Sequence, residues 1–179
     1  VKMADKMVSI RPDLRSYARV SYLREIHGDV DGAIEAMKLA VDAGFPGQEQ
    51  TCWSRLTLGN LYKQYGQLDA AEGEYRTILQ ERPKYPFAIA ALAEVAIERK
   101  KYGEAEQLLK DAANIIPEVG FYEELAKVYK LQGKKEACEK TVQEIWPMLA
   151  DDEAHGHNMN LEYASIYADL VGDLKKALK

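Results

Sequence analysis

The residue types best suited to chemistry lie together in one short polar segment of the chain. Asp151, Asp152 and Glu153 are followed by two histidines, His155 and His157. Carboxylates and imidazoles are the side chains that bind zinc and similar divalent ions. However, the two histidines lack the i, i+4 spacing that would place them on one helical face, and no cysteine is nearby. We therefore predict a solvated linker here and no metal site.

No other arrangement of residues indicates catalysis. The sequence contains no glycine-rich phosphate loop, no nucleophile elbow and no recognisable catalytic triad. The third histidine, His27, precedes Gly28 and is expected at the end of a helix, where the helix dipole favours positive charge. We therefore predict no catalytic residues and no cofactor, and we do not expect an enzyme.

Composition excludes two further classes of function. The chain has 179 residues, of which 47% are hydrophobic, and a formal net charge of −5. A nucleic-acid-binding protein needs a basic face to neutralise phosphates, so this class is not expected. No apolar run approaches the roughly 18 residues that a membrane span requires, and no signal peptide is visible. The sequence is compatible with the cytoplasm and the periplasm alike.

The same spacing of small and apolar residues recurs five times along the chain. In the clearest copy, residues 58–62 (Leu-Gly-Asn-Leu-Tyr) are followed by Ala71 and Pro83. The next copy places Ala105 and Pro117 34 residues after these counterparts. A period of about 34 residues is typical of stacked helix–turn–helix units.

This pattern resembles the tetratricopeptide repeat (TPR) family and the TPR segments of bacterial proteins. The segment Leu-Gly-Asn-Leu-Tyr-Lys-Gln-Tyr-Gly at 58–66, closing with Pro83, is very close to the family consensus. The resemblance covers essentially the whole chain, although Arg24, Arg55 and Cys138 depart from the preferred residue types. It implies an all-α fold, a right-handed α-solenoid of stacked antiparallel helix pairs.

The repeat spacing also has a direct physical basis. Leu58, Leu61 and Tyr65 recur at steps of three and four residues, so they share one helical face. Gly59 is expected to face Ala71 across the helix pair, where small residues let two backbones approach closely. Glycines are expected to end the first helices because they adopt positive φ without a steric penalty. These are Gly28, Gly66, Gly133 and Gly172.

We predict one repeat array over residues 1–179 that is a fragment of a longer array. The open ends of such an array expose apolar helix edges, so self-association through the terminal helices is also expected. Two intervals between repeats are longer than the others, and we place the extra residues in loops at 43–50 and 147–158. The predicted units are the end of a preceding repeat (1–12), complete repeats at 14–47, 52–85, 86–118 and 119–152, and an incomplete repeat (158–179) that ends within a helix beginning at Lys175.

The two cysteines are expected to be free thiols. Cys52 and Cys138 fall in different repeats. Neighbouring helices lie about 8–10 Å apart, so cysteines separated by several helices cannot reach the short Cα distance that a disulfide requires. Cysteine usage therefore does not identify the compartment.

The resemblance implies a concave wall formed by the first helices of the repeats. Tyr22, Trp53 and Phe87 form an aromatic stripe there that suits a peptide or protein partner. In the alternative interpretation, Trp53 and Phe87 only fill the seam between repeats. Leu56 stands where a carboxylate-clamp TPR needs a lysine, so binding of a chaperone C-terminus is not expected. The predicted groove residues are Tyr22, Glu25, Trp53, Leu56, Asn60, Lys63, Phe87, Glu94, Lys127 and Lys130, with Arg15 and Ala18 on the same face.

Three functions are compatible with this pattern. The first is a non-enzymatic scaffold that binds a protein or peptide segment in the concave groove. The second is an oligomerisation or assembly module that acts through its terminal helices. The third is a docking or regulatory array of a larger enzyme or of a secretion-related protein.

Overall fold

The computed structural model describes residues 2–178, and all regular structure in that range is helical. Val1 and Lys179, the outer limits of the first and last predicted repeats, lie outside the described residues. The helices are α1 (Lys2–Ile10), α2 (Leu14–Ile26), α3 (Val30–Asp42), α4 (Glu49–Gln64), α5 (Leu68–Glu81), α6 (Pro86–Glu98), α7 (Tyr102–Ile115), α8 (Val119–Leu131), α9 (Lys135–Ala154), α10 (Asn160–Ser165) and α11 (Leu174–Ala177), with a π-helical segment at Ile166–Val171.

The chain forms two compact units, Val1–Ala91 and Leu92–Lys179. In the first unit, α1 packs against α2, α2 against α3, α3 against α4 and α4 against α5. In the second unit, α7 packs against α8, α8 packs against α9, and the π-helical segment contacts both α8 and α9. Consecutive helices therefore build each unit through local packing, which is the arrangement that stacked helix pairs require.

Small residues let the helices of each unit approach closely. In the first unit Ala33, Ala40 and Ala71 are completely buried, and in the second unit Ala105 and Ala112 are too. Larger side chains fill the spaces between them; the fully buried ones include Tyr75, Ile78, Leu109, Ile145 and Leu149. Each unit thus has an apolar core of its own.

The predicted glycine turns are confirmed. Gly28, Gly66, Gly133 and Gly172 all have φ between 72° and 81°. After Gly66, the backbone N–H of Gln67 donates to the carbonyl of Tyr62, which closes the helix end.

One turn of the same kind lacks a glycine. Lys100 has φ 60°, and the N–H of the following Lys101 donates to the carbonyl of Ala96, as Gln67 does to Tyr62. Lys100 is the one described non-glycine residue with positive φ. A Cβ in this conformation costs about 1–2 kcal/mol.

Replacing Lys100 with glycine is expected to stabilise the protein. Relief of the left-handed conformation exceeds the entropy that glycine adds to the unfolded chain, so we expect a gain of about 0.5–1 kcal/mol in the free energy of unfolding. Urea denaturation followed by circular dichroism measures this change. Gly66→Lys is the matched control and should be destabilising, and equal stability of Lys100→Gly and the parent chain would contradict the prediction.

The predicted loop at 147–158 is largely wrong, because α9 continues through Pro147 to Ala154. A proline inside a helix removes one backbone hydrogen bond and crowds the preceding turn. Leu149, two residues later, is fully buried and keeps the following turn packed on the core. The non-helical link between α9 and α10 is therefore only 155–159. The other predicted loop agrees with the structure, since α3 ends at Asp42 and α4 begins at Glu49.

Gly59 lies against a different neighbour from the one predicted. A Cβ built on Gly59 would come closest to the ring of Tyr75, 2.3 Å from Cε1, and not to Ala71. The rotation of α5 therefore places Tyr75, one turn beyond Ala71, over the glycine. The small residue was correctly interpreted as a point of close approach, but its partner is an aromatic ring.

The structure also bears on the cysteines and on the possibility of a membrane-spanning helix. Cys52 and Cys138 are both free thiols, and both are buried. Of the helices described, none combines the length and the apolar character needed to cross a membrane.

Candidate functional site

A groove with an aromatic wall runs between α2 and α4 in the first unit. We call it the Tyr22–Trp53 groove, and its volume is about 570 Å³. Leu14, Ala18 and Tyr22 form the α2 side because residues four apart share one helical face. Trp53 is the main apolar residue of the α4 side. The polar lining residues are Arg15, Arg19, Glu49, Gln50 and Ser54.

Specific contacts hold α2 in the position that forms this groove. The carboxylate of Asp13 caps the helix by accepting a hydrogen bond from the backbone N–H of Ser16, at 2.9 Å. Further along α2, the buried hydroxyl of Ser21 donates to the carbonyl of Ala33 in α3, at 2.8 Å. This hydrogen bond fixes the rotation of α2 against α3. It therefore determines which side chains of α2 face the groove.

The two aromatic side chains of the groove are largely accessible. Tyr22 is 61% exposed and Trp53 is 56% exposed. Trp53 also makes an edge-to-face contact with Phe87, with ring centroids 6.3 Å apart, and Phe87 packs in the same way on Tyr85. Trp53 is thus supported by neighbouring rings and still offers more than half of its surface to solvent.

Glu49, the acidic residue of the groove lining, is engaged by neighbouring side chains. Arg82 forms an ion pair with Glu49, and the hydroxyl of Tyr85 donates to its Oε1 at 2.8 Å. The hydrogen bond from Arg82 lowers the pKa of Glu49, and burial together with the hydrogen bond to Glu49 raises the pKa of Tyr85. Glu49 is therefore an ionised but compensated group.

The arginines of the groove are in a different situation. Arg15 and Arg19 are exposed, one turn apart on α2, and neither forms an ion pair with another described residue. With Glu49 compensated by Arg82, these two side chains determine the charge of the groove. The groove is therefore positively charged.

The other predicted residues of the first unit differ in accessibility. Leu56 is only 6% exposed, so its inclusion among the groove residues is wrong: the side chain belongs to the core. Asn60 is exposed, and its Oδ1 accepts a hydrogen bond from the hydroxyl of Tyr75 at 2.7 Å, which leaves its amide nitrogen to donate. Glu25 and Lys63 are half-buried, and Lys63 has interactions with neighbouring residues.

The predicted residues of the second unit interact with other side chains or with the backbone. Lys127 forms ion pairs with Glu123 and Glu124, both at 2.9 Å. Lys130 donates to the backbone carbonyl of Asp169. Glu94 is half-buried and has interactions with neighbouring residues.

The polar segment with two histidines lies at the end of α9. Asp151 and Asp152 belong to the last turn of the helix, and His155 ends it, with Nδ1 2.8 Å from the carbonyl oxygen of Asp151. Over residues 2–178, no group of three or more His, Cys, Asp or Glu side chains is arranged to hold a metal ion. Residues 151–154 of the predicted linker thus belong to the end of α9, and the link itself begins at His155.

Sequence reasoning did not identify Arg19, Glu49 and Gln50 as groove residues. The signal for the arginine was present: Arg15 and Arg19 have the i, i+4 spacing that puts like charges side by side on a helix. The contribution of Glu49 had no local signal, because its partners Arg82 and Tyr85 are more than 30 residues away in the sequence.

Comparison with known proteins identifies the fold. A family model described as tetratricopeptide repeat matches residues 62–119. No curated protein sequence matches the chain. Similar solved structures include BtubC (BKLC) from P. vanneervenii, with 18% identity, a TM-score of 0.67 and coverage of 81% of this chain and 65% of that one. A tetratricopeptide repeat protein from Parabacteroides merdae has 16% identity, a TM-score of 0.67 and coverage of 99% and 68%.

A third similar structure is the APC/C hetero-tetramer Cut9-Hcn1, with 17% identity and a TM-score of 0.71. The match covers 99% of this chain but 35% of that chain, so this chain spans less than two thirds of both Cut9-Hcn1 and BtubC. These matches confirm the predicted all-α helical-solenoid class, which generally supports protein–protein interaction. Residues 62–119 thus match the tetratricopeptide repeat model, and the chain shares the helical fold of these solved structures.

Proposed function

We propose that this protein is a non-enzymatic scaffold that binds a peptide or protein segment in the Tyr22–Trp53 groove. The observation that carries the proposal is the pair of exposed aromatic side chains, one on each wall of the same groove. Tyrosine and tryptophan are enriched among the residues that dominate binding energy at protein interfaces. Exposing both to solvent in a groove has a cost that a bound partner would remove.

The dimensions of the groove suit a few side chains of a partner. Its volume of about 570 Å³ lies within the range of roughly 300–1,000 Å³ that is usual for binding clefts. Asn60, further along α4, has an amide nitrogen available to donate to the backbone of a bound segment. We include Glu25, Lys63 and Phe87 in the proposed surface of the first unit.

The proposal also includes the four predicted repeats. It includes three residues of the second unit as further contacts for a ligand: Glu94, Lys127 and Lys130. The two lysines would have to exchange their present carboxylate or carbonyl partners for groups of a ligand. We therefore expect them to contribute less than the aromatic pair of the first unit.

A second candidate function is self-assembly through the end helices. Large apolar side chains are highly exposed there: Met3 and Ile10 on α1, and Leu174 and Leu178 at α11. Sedimentation analysis over a range of protein concentrations separates the candidates. Concentration-dependent association that survives groove substitutions supports the assembly module.

Replacing Trp53 with alanine is expected to weaken peptide binding by about 10–100-fold, the loss typical of a central aromatic residue. Peptides are first selected from a random display library on the unmodified chain, and their dissociation constants are then measured by fluorescence anisotropy. Tyr65→Ala is the matched control because Tyr65 is a partly exposed aromatic residue outside the groove. Equal affinities of the two variants would refute the groove assignment.

A further inference from the structure

The charge of the Tyr22–Trp53 groove differs from that of the whole chain. The chain has a formal net charge of −5. Arg15 and Arg19 nevertheless project beside the aromatic pair, and within the part of the chain that the structure describes neither has an acidic partner. Two like charges at i, i+4 destabilise a helix, so this arrangement works against the stability of α2.

The acid within the groove does not offset these two charges. Glu49 is ion-paired with Arg82 and accepts a hydrogen bond from Tyr85, so its negative charge is already balanced within the protein. A ligand in the groove can therefore form ion pairs with two arginines and contact two exposed aromatic side chains.

A neighbouring cavity lengthens the surface available to a ligand. This cavity, of about 370 Å³, shares Leu14, Arg15 and Gln50 with the groove, so the two adjoin. Phe45, which is 76% exposed, also lines this cavity. Arg11 also lines it but is ion-paired with Asp13 at 2.7 Å. A ligand in the groove can therefore also contact the residues that line the adjoining cavity.

On the basis of the proposed groove function, we propose that the ligand is an extended acidic segment of a partner protein. An apolar side chain of the segment contacts Tyr22 and Trp53, while aspartate or glutamate side chains pair with Arg15 and Arg19. Arginine suits this role because its planar guanidinium binds a carboxylate through two parallel hydrogen bonds.

The spacing of the arginines specifies the acidic pattern. Residues four apart on a helix are separated by a rise of about 6 Å. In an extended chain, side chains two residues apart lie on the same side at about 6.6 Å. Carboxylates at alternate positions, Asp/Glu-x-Asp/Glu, therefore match the two guanidinium groups.

The acidic groups are assigned to side chains rather than to a chain terminus. The lysine that a carboxylate-clamp TPR places one turn before its asparagine is replaced here by Leu56, which is buried. Probe peptides with an amidated C-terminus separate the two sources of carboxylate. Binding that requires a free C-terminus would overturn the assignment to side chains.

The test uses synthetic, C-amidated peptides that share one apolar anchor and differ only in their flanks. The flanks carry acidic, neutral or basic residues at alternate positions, and dissociation constants are measured at low and high salt. We expect the acidic peptide to bind about 10-fold or more tightly than the neutral one, with an affinity that falls as salt rises. The double variant Arg15→Glu/Arg19→Glu should reverse this order.

The control is Lys38→Glu/Lys84→Glu, which changes the net charge equally through exposed residues that do not line the groove. Circular dichroism verifies folding, and Arg15→Gln/Arg19→Gln provides a milder variant that should remove the acidic preference. Equal binding of acidic and neutral peptides that still depends on Trp53 would refute the acidic ligand and leave the groove function intact. Binding by no peptide, or binding unaffected by Trp53→Ala, would refute both.

Discussion

Replacing Gly59 with alanine is expected to lower the free energy of unfolding by about 1–3 kcal/mol, the usual cost of overpacking a core. A Cβ at this position would lie 2.3 Å from Cε1 of Tyr75 and 2.9 Å from Cδ1 and Cζ. The ring has no room to withdraw, because Tyr75 is fully buried and its hydroxyl is bonded to Asn60. The two helices must therefore separate, and this disrupts the surrounding packing.

Gly73 in α5 provides a matched control for this substitution. It is also a helical glycine of the first unit, but a Cβ built there would meet no atom within 4 Å. Gly73→Ala should therefore stabilise the chain by about 0.5–1 kcal/mol, because alanine is the better helix former. Urea denaturation of both variants provides the comparison. Equal effects of the two substitutions would show that the contact of Gly59 with Tyr75 does not limit stability.

Replacing Arg55 with alanine is the other substitution with a large expected effect. Its guanidinium lies 2.8 Å from Glu74 and 4.0 Å from Glu81, and all three side chains are about 20% exposed. Glu81 also accepts a hydrogen bond from the backbone N–H of Gly47, which ties the loop before α4 to α5. Loss of the arginine leaves two poorly hydrated carboxylates without this positive partner, so we expect a destabilisation of about 2–3 kcal/mol.

The ion pair between Arg76 and Glu72 provides the comparison for this network. It also links residues of the first unit, but Arg76 is well exposed. Such pairs contribute about 0–1 kcal/mol, so Arg76→Ala should have a small effect. Replacing Arg55 and Glu74 together with leucine should cost less than Arg55→Ala, because no unpaired charge remains at that contact. A loss from Arg55→Ala no larger than that from Arg76→Ala would mean that the network is not needed for stability.

The helices and their ends were predictable from the sequence because they depend on residues close together in the chain. A helix forms through contacts three and four residues apart, and glycine provides positive φ without help from the rest of the fold. Gly66 and Gly133 therefore ended their helices as predicted. Lys100 has the same left-handed backbone conformation. Because a lysine does not indicate such a turn, this helix end was not predictable from residue type.

The groove was predicted only in part because its composition depends on how each helix is rotated. Of the residues placed in the predicted groove, Tyr22 and Trp53 are exposed, whereas Leu56, one turn after Cys52 on α4, is buried. A small rotation of a helix about its axis decides whether such a side chain is exposed or buried. The boundaries of the predicted repeats stay a proposal for the same reason: they assume a regular alignment along the whole chain.

From the sequence alone, the repeat period determined the helical class, the turns and the small residues at points of close approach. The tertiary structure decided which side chains meet: Tyr75 covers Gly59, Arg55 joins two glutamates, and Arg82 neutralises Glu49. These contacts connect residues 16 to 33 positions apart, and they depend on the orientation of whole helices. Periodicity encodes which face of a helix is apolar, but packing fixes the angle at which that face meets its neighbour.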